Sequence, residues 1–250
     1  MPTSSINWEA DVVALRDMSV TAHRNHEIAT LALIQSLASP ADDSEGVLKQ
    51  KVLMAKVAAE SVAALESLGA IASAISKRFR GGILDAYLKY QVSDAKSIYR
   101  RATETRHSAR TILRIPSDAR LKKWLSQDER RRVQESLLGV RRTLSQAGRN
   151  YLKKDQRYVR AYNKIKHGFL VLQRPDLLLP NVSPPTDWRS DVNILTGITP
   201  DGSVQYIALS RSQEMIEHLE GNIKACASCW KELASLMIYL HERGVPLGQR

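Results

Sequence analysis

Arg160 and His167 stand seven residues apart, with Asn163 three after the arginine and four before the histidine. An α-helix turns about 100° per residue, so positions at these spacings share one face. A cation, an amide and an imidazole on one face suit phosphodiester chemistry. Guanidinium grips phosphate oxygens with paired N–H donors and stays charged. Imidazole titrates near neutral pH and can take or give a proton there. In this arrangement Arg160 holds the scissile phosphate, His167 is general acid or base, and Asn163 orients one of them. Lys164 and Lys166 add positive field. With RNA the 2′-hydroxyl is an internal nucleophile, so no metal and no other cofactor is expected.

The element that must position these groups is a helix from Lys153 to about Leu172. Its other face carries Tyr158, Tyr162, Ile165 and Phe169 at spacings of three and four, the pattern of a buried stripe. The helix ends a basic region. From Arg120 to Lys166 there are 15 Lys/Arg against four Asp/Glu, a surplus equal to the net charge of +11 for all 250 residues. Charge concentrated in this way points to a polyanionic partner, RNA or another nucleic acid or an anionic surface. Arg130, Arg131, Arg141 and Arg142 are the candidates to follow its backbone.

The R-x(6)-H spacing within Y-N-K-I-K-H-G resembles the motif of HEPN-type helical bundles, over about residues 83–172. The resemblance implies a motif on a late helix of a four- or five-helix bundle, brought against its copy at a dimer interface. It also implies metal-independent endoribonuclease activity in a toxin, defence or RNA-processing system, or, as in other members, binding alone. The chain departs from the commonest form of the motif in carrying Ala161 where a polar residue follows the arginine. The alternative reading is a non-catalytic helical module that docks a protein partner or binds nucleic acid.

Other pairs share the bare spacing: Arg16/His23, Arg100 or Arg101/His107, and Arg211/His218. Arg160/His167 differs from them by the asparagine on the same face, the apolar back and the basic setting. Arg101/His107, on another basic helix, is the second candidate for phosphate contact. His23 and His26 have an H-x-x-H spacing without an evident third metal ligand, so His26 is read as a hydrogen-bonded histidine on an apolar stripe. Cys226 and Cys229 form a lone CxxC inside a helix. They are read as structural, since a redox pair wants its first cysteine at a helix N-terminus. GxxxxGK, GxGxxG, GxSxG and HExxH are all absent from the sequence, which leaves P-loop, dinucleotide, α/β-hydrolase and zinc-protease readings without support.

The remaining pattern predicts a mainly α helical bundle, read as one domain over 1–250. A long helical hairpin over about 4–79 leads it, with Trp8, Val12, Leu15, Met18, Ala22, His26, Ala29 and Leu33 on one arm. The other arm, about 45–78, carries Leu48 through Ile75 at helical spacing, with Gly69 among small residues that permit close approach. A third helix is expected from Ile83 to about Leu113 and a short one within 117–125. The S-x-x-E box at Ser126–Glu129 should start a helix through Leu152 that buries Val133, Leu137, Leu138, Val140 and Leu144. A Pro-rich loop over about 173–190 precedes a β-hairpin, Val192–Thr196 and Val204–Ala208, turning at Thr199-Pro-Asp-Gly202. A last helix to about Arg243 presents Met215, Leu219, Ile223, Cys226, Trp230, Leu233, Met237 and Leu240. The early acidic residue and lack of an apolar N-terminal segment suggest no secretory signal. No run reaches ~18 uncharged apolar residues. A cytoplasmic protein with no membrane partner is therefore expected.

Overall fold

A computed structural model describes residues 8–38, 43–152, 162, 165, 171–172, 192–198, 200 and 204–247. The fold is mainly α, a helical bundle joined by a small antiparallel sheet. The helices are α1 (Trp8–Leu37), α2 (Ser44–Lys77), α3 (Ile83–Leu88), α4 (Val92–Thr103), α5 (Ala109–Leu113), α6 (Asp118–Leu121), α7 (Gln127–Leu152) and α8 (Gln213–Glu242). The strands are β1 (Val171–Leu172), β2 (Val192–Ile198) and β3 (Val204–Leu209), in the order β1-β2-β3. These elements group into two compact units. The first comprises Met1–Asn25, Ala64–Lys153 and Lys224–Arg250, the second His26–Ala63 and Lys154–Ile223.

In the first unit, α2 supplies Ala64, Leu65, Leu68, Ala70, Ile71, Ala72, Ala74 and Ile75, all buried, and Ser73 and Ser76 are buried with them. Over this stretch α2 is buried on nearly every side, so the second helix of the expected N-terminal hairpin, which follows α1 in the chain, is also a core element. By length and composition Glu45–Lys77 could also cross a membrane, but 78% of its apolar window is buried inside the protein, as in a core helix. The small residues set how closely its neighbours approach. A Cβ on Gly69 would lie 2.5 Å from that of Ala95 on α4. Gly148 on α7 gives α4 the same access, since its Cβ would stand 3.1 Å from the Tyr99 carbonyl oxygen. Tyr99 sits where the three helices meet. Its hydroxyl donates to the Leu65 carbonyl at 2.5 Å, and its ring lies 5.3 Å from that of Tyr151. From α8, Trp230, Leu233, Met237 and Leu240 complete this core.

The expected helix over 83–113 is three helices instead. The chain leaves helical geometry at Gln91, whose backbone N–H is accepted by Asp94 Oδ2 at 3.2 Å in a capping box that starts α4. It leaves it again at Ser108, whose hydroxyl accepts from the Thr111 N–H at 3.2 Å and starts α5. Each break places a side-chain acceptor where a continuous helix would use a carbonyl. The Ser126–Glu129 box forms as the sequence indicates, at 2.8 and 3.3 Å. Of the five apolar positions assigned to the core of α7, four are buried, but Leu138 is 53% exposed. It lies on the outward side of the wheel, between Glu135 and Arg142.

Two buried charged side chains further organise the first unit. Asp11 of α1, 5% exposed, accepts the N–H groups of Ile83 and Leu84 at 2.7 and 3.0 Å and so caps α3. Gly82, with φ +99°, precedes it, and a Cβ there would collide with the same carboxylate at 2.6 Å. Arg78 is fully buried in the 3-10 turn after α2. It donates to the carbonyls of Ile75, Leu113, Arg114 and Leu247 at 2.6, 2.7, 2.7 and 2.8 Å.

In the second unit, Met54, Ala55, Val57, Ala58 and Ala59 of α2 form a hydrophobic cluster with Ile165, Val192, Ile194, Leu209 and Leu219. The hairpin is present, with a bulge between Leu195 and Gly197. Val192 pairs with Leu209 and both are buried, so the inward side of β3 at this end is Leu209, not Ala208. Val171 and Leu172 were expected to end a helix. They form β1, paired with Ile194 and Asn193 of β2. A β-branched residue three after Gly168 and four before Pro175 suits the free edge of β2 better than a last helical turn.

Candidate nucleic-acid interface

Arg160, Asn163, Lys164, Lys166 and His167 lie outside the described residues. Two members of the stripe behind them lie within. Tyr162 and Ile165 are helical, Ile165 is 6% exposed in the second unit's cluster, and Tyr162 packs against that cluster.

The basic region is described along α6 and α7 of the first unit. Helical geometry divides its arginines into two kinds. The buried side of α7 is Val133, Leu137, Val140, Leu144, Ala147, Gly148 and Tyr151. Arg130 and Arg141, eleven residues apart and hence nearly eclipsed, flank this side. Both are partly buried and bonded to the chain itself. Arg130 donates to the Leu125 carbonyl at 2.9 Å and stands 3.3 Å from Asp118. Arg141 donates to the carbonyls of His107 at 2.8 Å, Glu104 at 2.7 Å, and Ala102. A cation with several donors is thereby set on the last carbonyls of α4, where the helix dipole and the unpaired acceptors both favour it.

Arg131 and Arg142, one position further on, face outward with Leu138 and Arg149, all four exposed. At 1.5 Å of rise per residue this stripe runs about 27 Å along α7. Arg131 pairs with Asp128 at 2.6 Å, and Arg149 reaches the Ser145 hydroxyl at 3.4 Å. Lys122, Lys123, Arg120 and Arg132 are exposed nearby in sequence. With Arg142 they make no ion pair among the described residues. The wheel of α7 contains this division, since the offset of one residue between the pairs 130/141 and 131/142 separates flank from outward face.

The secondary candidates are engaged locally. Arg101 donates to the Thr111 carbonyl at 3.1 Å, and His107 Nε2 lies 3.2 Å from Glu104. His26 is half-buried, with Nδ1 2.8 Å from Glu60 Oε2. Arg211 donates to Gln50 at 2.7 Å, and His218 meets Asn222 at 3.2 Å. Among the described residues no three His, Cys, Asp or Glu side chains gather as metal ligands would. Cys226 and Cys229 are free and buried. Burial pushes the Cys226 thiol up to about 12 and raises that of Cys229 further. Thiols so far from ionisation are poor nucleophiles and poor metal ligands.

Sequence reasoning passed over a second basic feature of the first unit. An open cleft of about 590 Å³ between α5 and α6 is lined by Arg110, Arg114 and Arg120, with Phe79, Thr111 and Ser117 beside them. Arg114 ends α5 in the left-handed conformation, φ 54° and ψ 41°. Among the described residues it is the one non-glycine with positive φ. Helices commonly end on such a residue, but it is usually glycine, because a Cβ there costs about 1 kcal/mol or more.

Comparison with protein-family models, with curated proteins and with solved structures gives no match to this chain. The likeness to HEPN bundles therefore rests on the motif in the sequence.

Proposed function

We propose that the protein is an RNA-directed helical protein, HEPN-like in its motif, that engages a phosphate backbone through the outward stripe of α7. The observation that carries this reading is the separation of arginines on that helix. Those flanking the core are bonded to the chain, whereas Arg131, Arg142 and Arg149 stand exposed along about 27 Å. Lys122, Lys123 and Arg132 extend the positive field. Arg142 and Arg149 make no ion pair among the described residues, and Arg131 pairs only with the exposed Asp128. Exposed cations of this kind displace the counterions condensed on a phosphate backbone, the source of non-specific nucleic-acid affinity.

In its catalytic form the proposal assigns cleavage to the face of Arg160, Asn163 and His167. His167 would accept the 2′-hydroxyl proton or protonate the leaving 5′-oxygen. Arg160 would hold the charge developing on the phosphate, and Asn163 would fix the imidazole. Support for that face comes from its apolar back, where Ile165 is buried and Tyr162 packs against the same cluster.

The test is fluorescence anisotropy of a labelled single-stranded RNA across a salt series, followed by electrophoresis of the same RNA. Binding should weaken linearly in log–log form, with a slope of about −0.7 per phosphate contacted. Replacing Arg131, Arg142 and Arg149 with alanine should flatten that slope by roughly 2. Absence of binding at low salt overturns the reading. RNA bound but left intact by both native protein and His167→Ala removes the catalytic form and leaves a binding module.

A further inference from the structure

The cleft between α5 and α6 has its own chemistry, independent of the α7 stripe. Three guanidinium groups line it, and no carboxylate does among the described lining residues. Asp118, the nearest acid in sequence, is 53% exposed and pairs with Arg130 at 3.3 Å, while its charge also acts on Arg110 from outside the lining. Two of the three arginines have fixed partners. The Arg110 guanidinium donates to the Pro116 carbonyl, which fixes its plane. Arg114 Cζ stands 6.0 Å from the centre of the Phe79 ring, within cation–π reach. The Phe79 ring is held in turn by Arg78, whose Cζ lies 4.4 Å from its centre.

The positive charge here is crowded. Burial first, and the charge of Arg114 second, hold the Arg78 guanidinium below its usual range at about 10. The same two causes lower Arg101. Arg114 is thus a poor choice for stability on two counts: it repels its neighbours, and it occupies a backbone conformation that suits glycine. Strain held at a single residue, with its side chain lining a cleft, argues for a use of that side chain.

We propose that this cleft binds a phosphate monoester, gripped by Arg114 and Arg120, with Arg110 behind them and the Thr111 and Ser117 hydroxyls as further donors. Its volume lies within the ~300–1,000 Å³ usual for small-ligand sites, enough for a mononucleotide. Two sources share that chemistry, a free nucleotide and the 5′-phosphorylated end of an RNA strand.

Isothermal titration with AMP, adenosine and inorganic phosphate, and anisotropy with one RNA bearing either a 5′-phosphate or a 5′-hydroxyl, test the site. AMP should bind and adenosine should not. A preference of about tenfold or more for the phosphorylated RNA identifies the strand end as the ligand, since charge-assisted contacts are strong. AMP binding without that preference identifies the free nucleotide. Arg114→Gly should abolish recognition of the phosphate at an unchanged or raised Tm, because it removes the strain with the charge. Arg120→Ala, at an exposed position, should weaken it about tenfold. The inference is overturned if neither AMP nor phosphate binds and the two RNAs are equal, or if both variants bind like the native protein. RNA affinity that survives that result leaves the α7 proposal intact. Loss of all affinity for hydroxyl-ended RNA, with AMP still bound, removes the α7 proposal instead.

Discussion

Arg141 and Arg142 are adjacent, identical in type and opposite in expected behaviour. Arg141 bonds three carbonyls at and beyond the end of α4, those of Ala102, Glu104 and His107. A hydrogen bond from a charged donor contributes ~1.5–3 kcal/mol, but the site is only partly buried, and water would recover part of each lost bond. The expected net loss for Arg141→Ala is therefore about 2–4 kcal/mol. In a chain of this length 1 kcal/mol moves Tm by roughly 2–4 °C, so the midpoint should fall by about 4–16 °C. Arg141→Lys should recover at most a third of that, because an ammonium cannot span three acceptors in a fixed plane. Arg142→Ala should change stability by no more than ~0.5 kcal/mol, as exposed substitutions do. Its effect should appear as weaker RNA binding and a shallower salt slope. Urea unfolding by circular dichroism and anisotropy on the same preparations give both readings. Equal stability of the two alanine variants would refute the assignment of Arg141 to the fold, and equal RNA affinity of Arg142→Ala and native protein would refute the outward stripe.

Arg78→Met should destabilise the protein by ~3–5 kcal/mol, since four carbonyls lose a buried charged donor. A loss under 1 kcal/mol by chemical denaturation would show that water or rearrangement satisfies them. Gly69→Ala should cost about 1–3 kcal/mol, because the new methyl meets the Ala95 Cβ at 2.5 Å with no flexible side chain to yield. An unchanged Tm would mean that α2 and α4 shift apart freely. Glu129 has its carboxyl held below the usual range, first by the Ser126 backbone N–H, then by the Tyr239 and Ser126 hydroxyls, with Arg243 adding to them. A carboxylate with a lowered folded pKa gives stability that is present above its ordinary value of 4.5 and is lost as pH falls through the folded value. Glu129→Gln should therefore be less stable than native protein at pH 7, and the difference should shrink steadily below pH 4.5. A difference independent of pH would mean that the carboxylate charge is not what stabilises.

Long elements with strong periodicity were legible in the sequence. The cap at Ser126 marks α7, and the buried stripe of α8 is the one its spacing indicates. The breaks inside 83–113 were not legible, because Gln91 and Ser108 are ordinary helical residues until Asp94 and Thr111 are seen to cap against them. Nor was the all-round burial of α2. Alanines and serines score as neither core nor surface, and only the neighbours that close on them decide. β1 escaped for a related reason, since a two-residue strand has no period of its own and forms only because β2 offers an edge. For the arginines, a net charge says how many there are, and the helical wheel says which face outward. Arg114 lies beyond both, because its significance is a backbone angle.

The burial of α2 also has a consequence for synthesis. Arg78 waits for a carbonyl 169 residues later in the chain, and Trp230 and Leu233, which complete the core of the first unit, come almost as late. At ribosomal rates of ~5–20 residues per second, α2 stands without these partners for on the order of ten seconds or more. During that interval its apolar sides are open to any other hydrophobic surface in the cell. The nascent chain should therefore depend on a chaperone that shields helices, and ribosomes stalled before Lys224 should carry an aggregation-prone product rather than a partly working one.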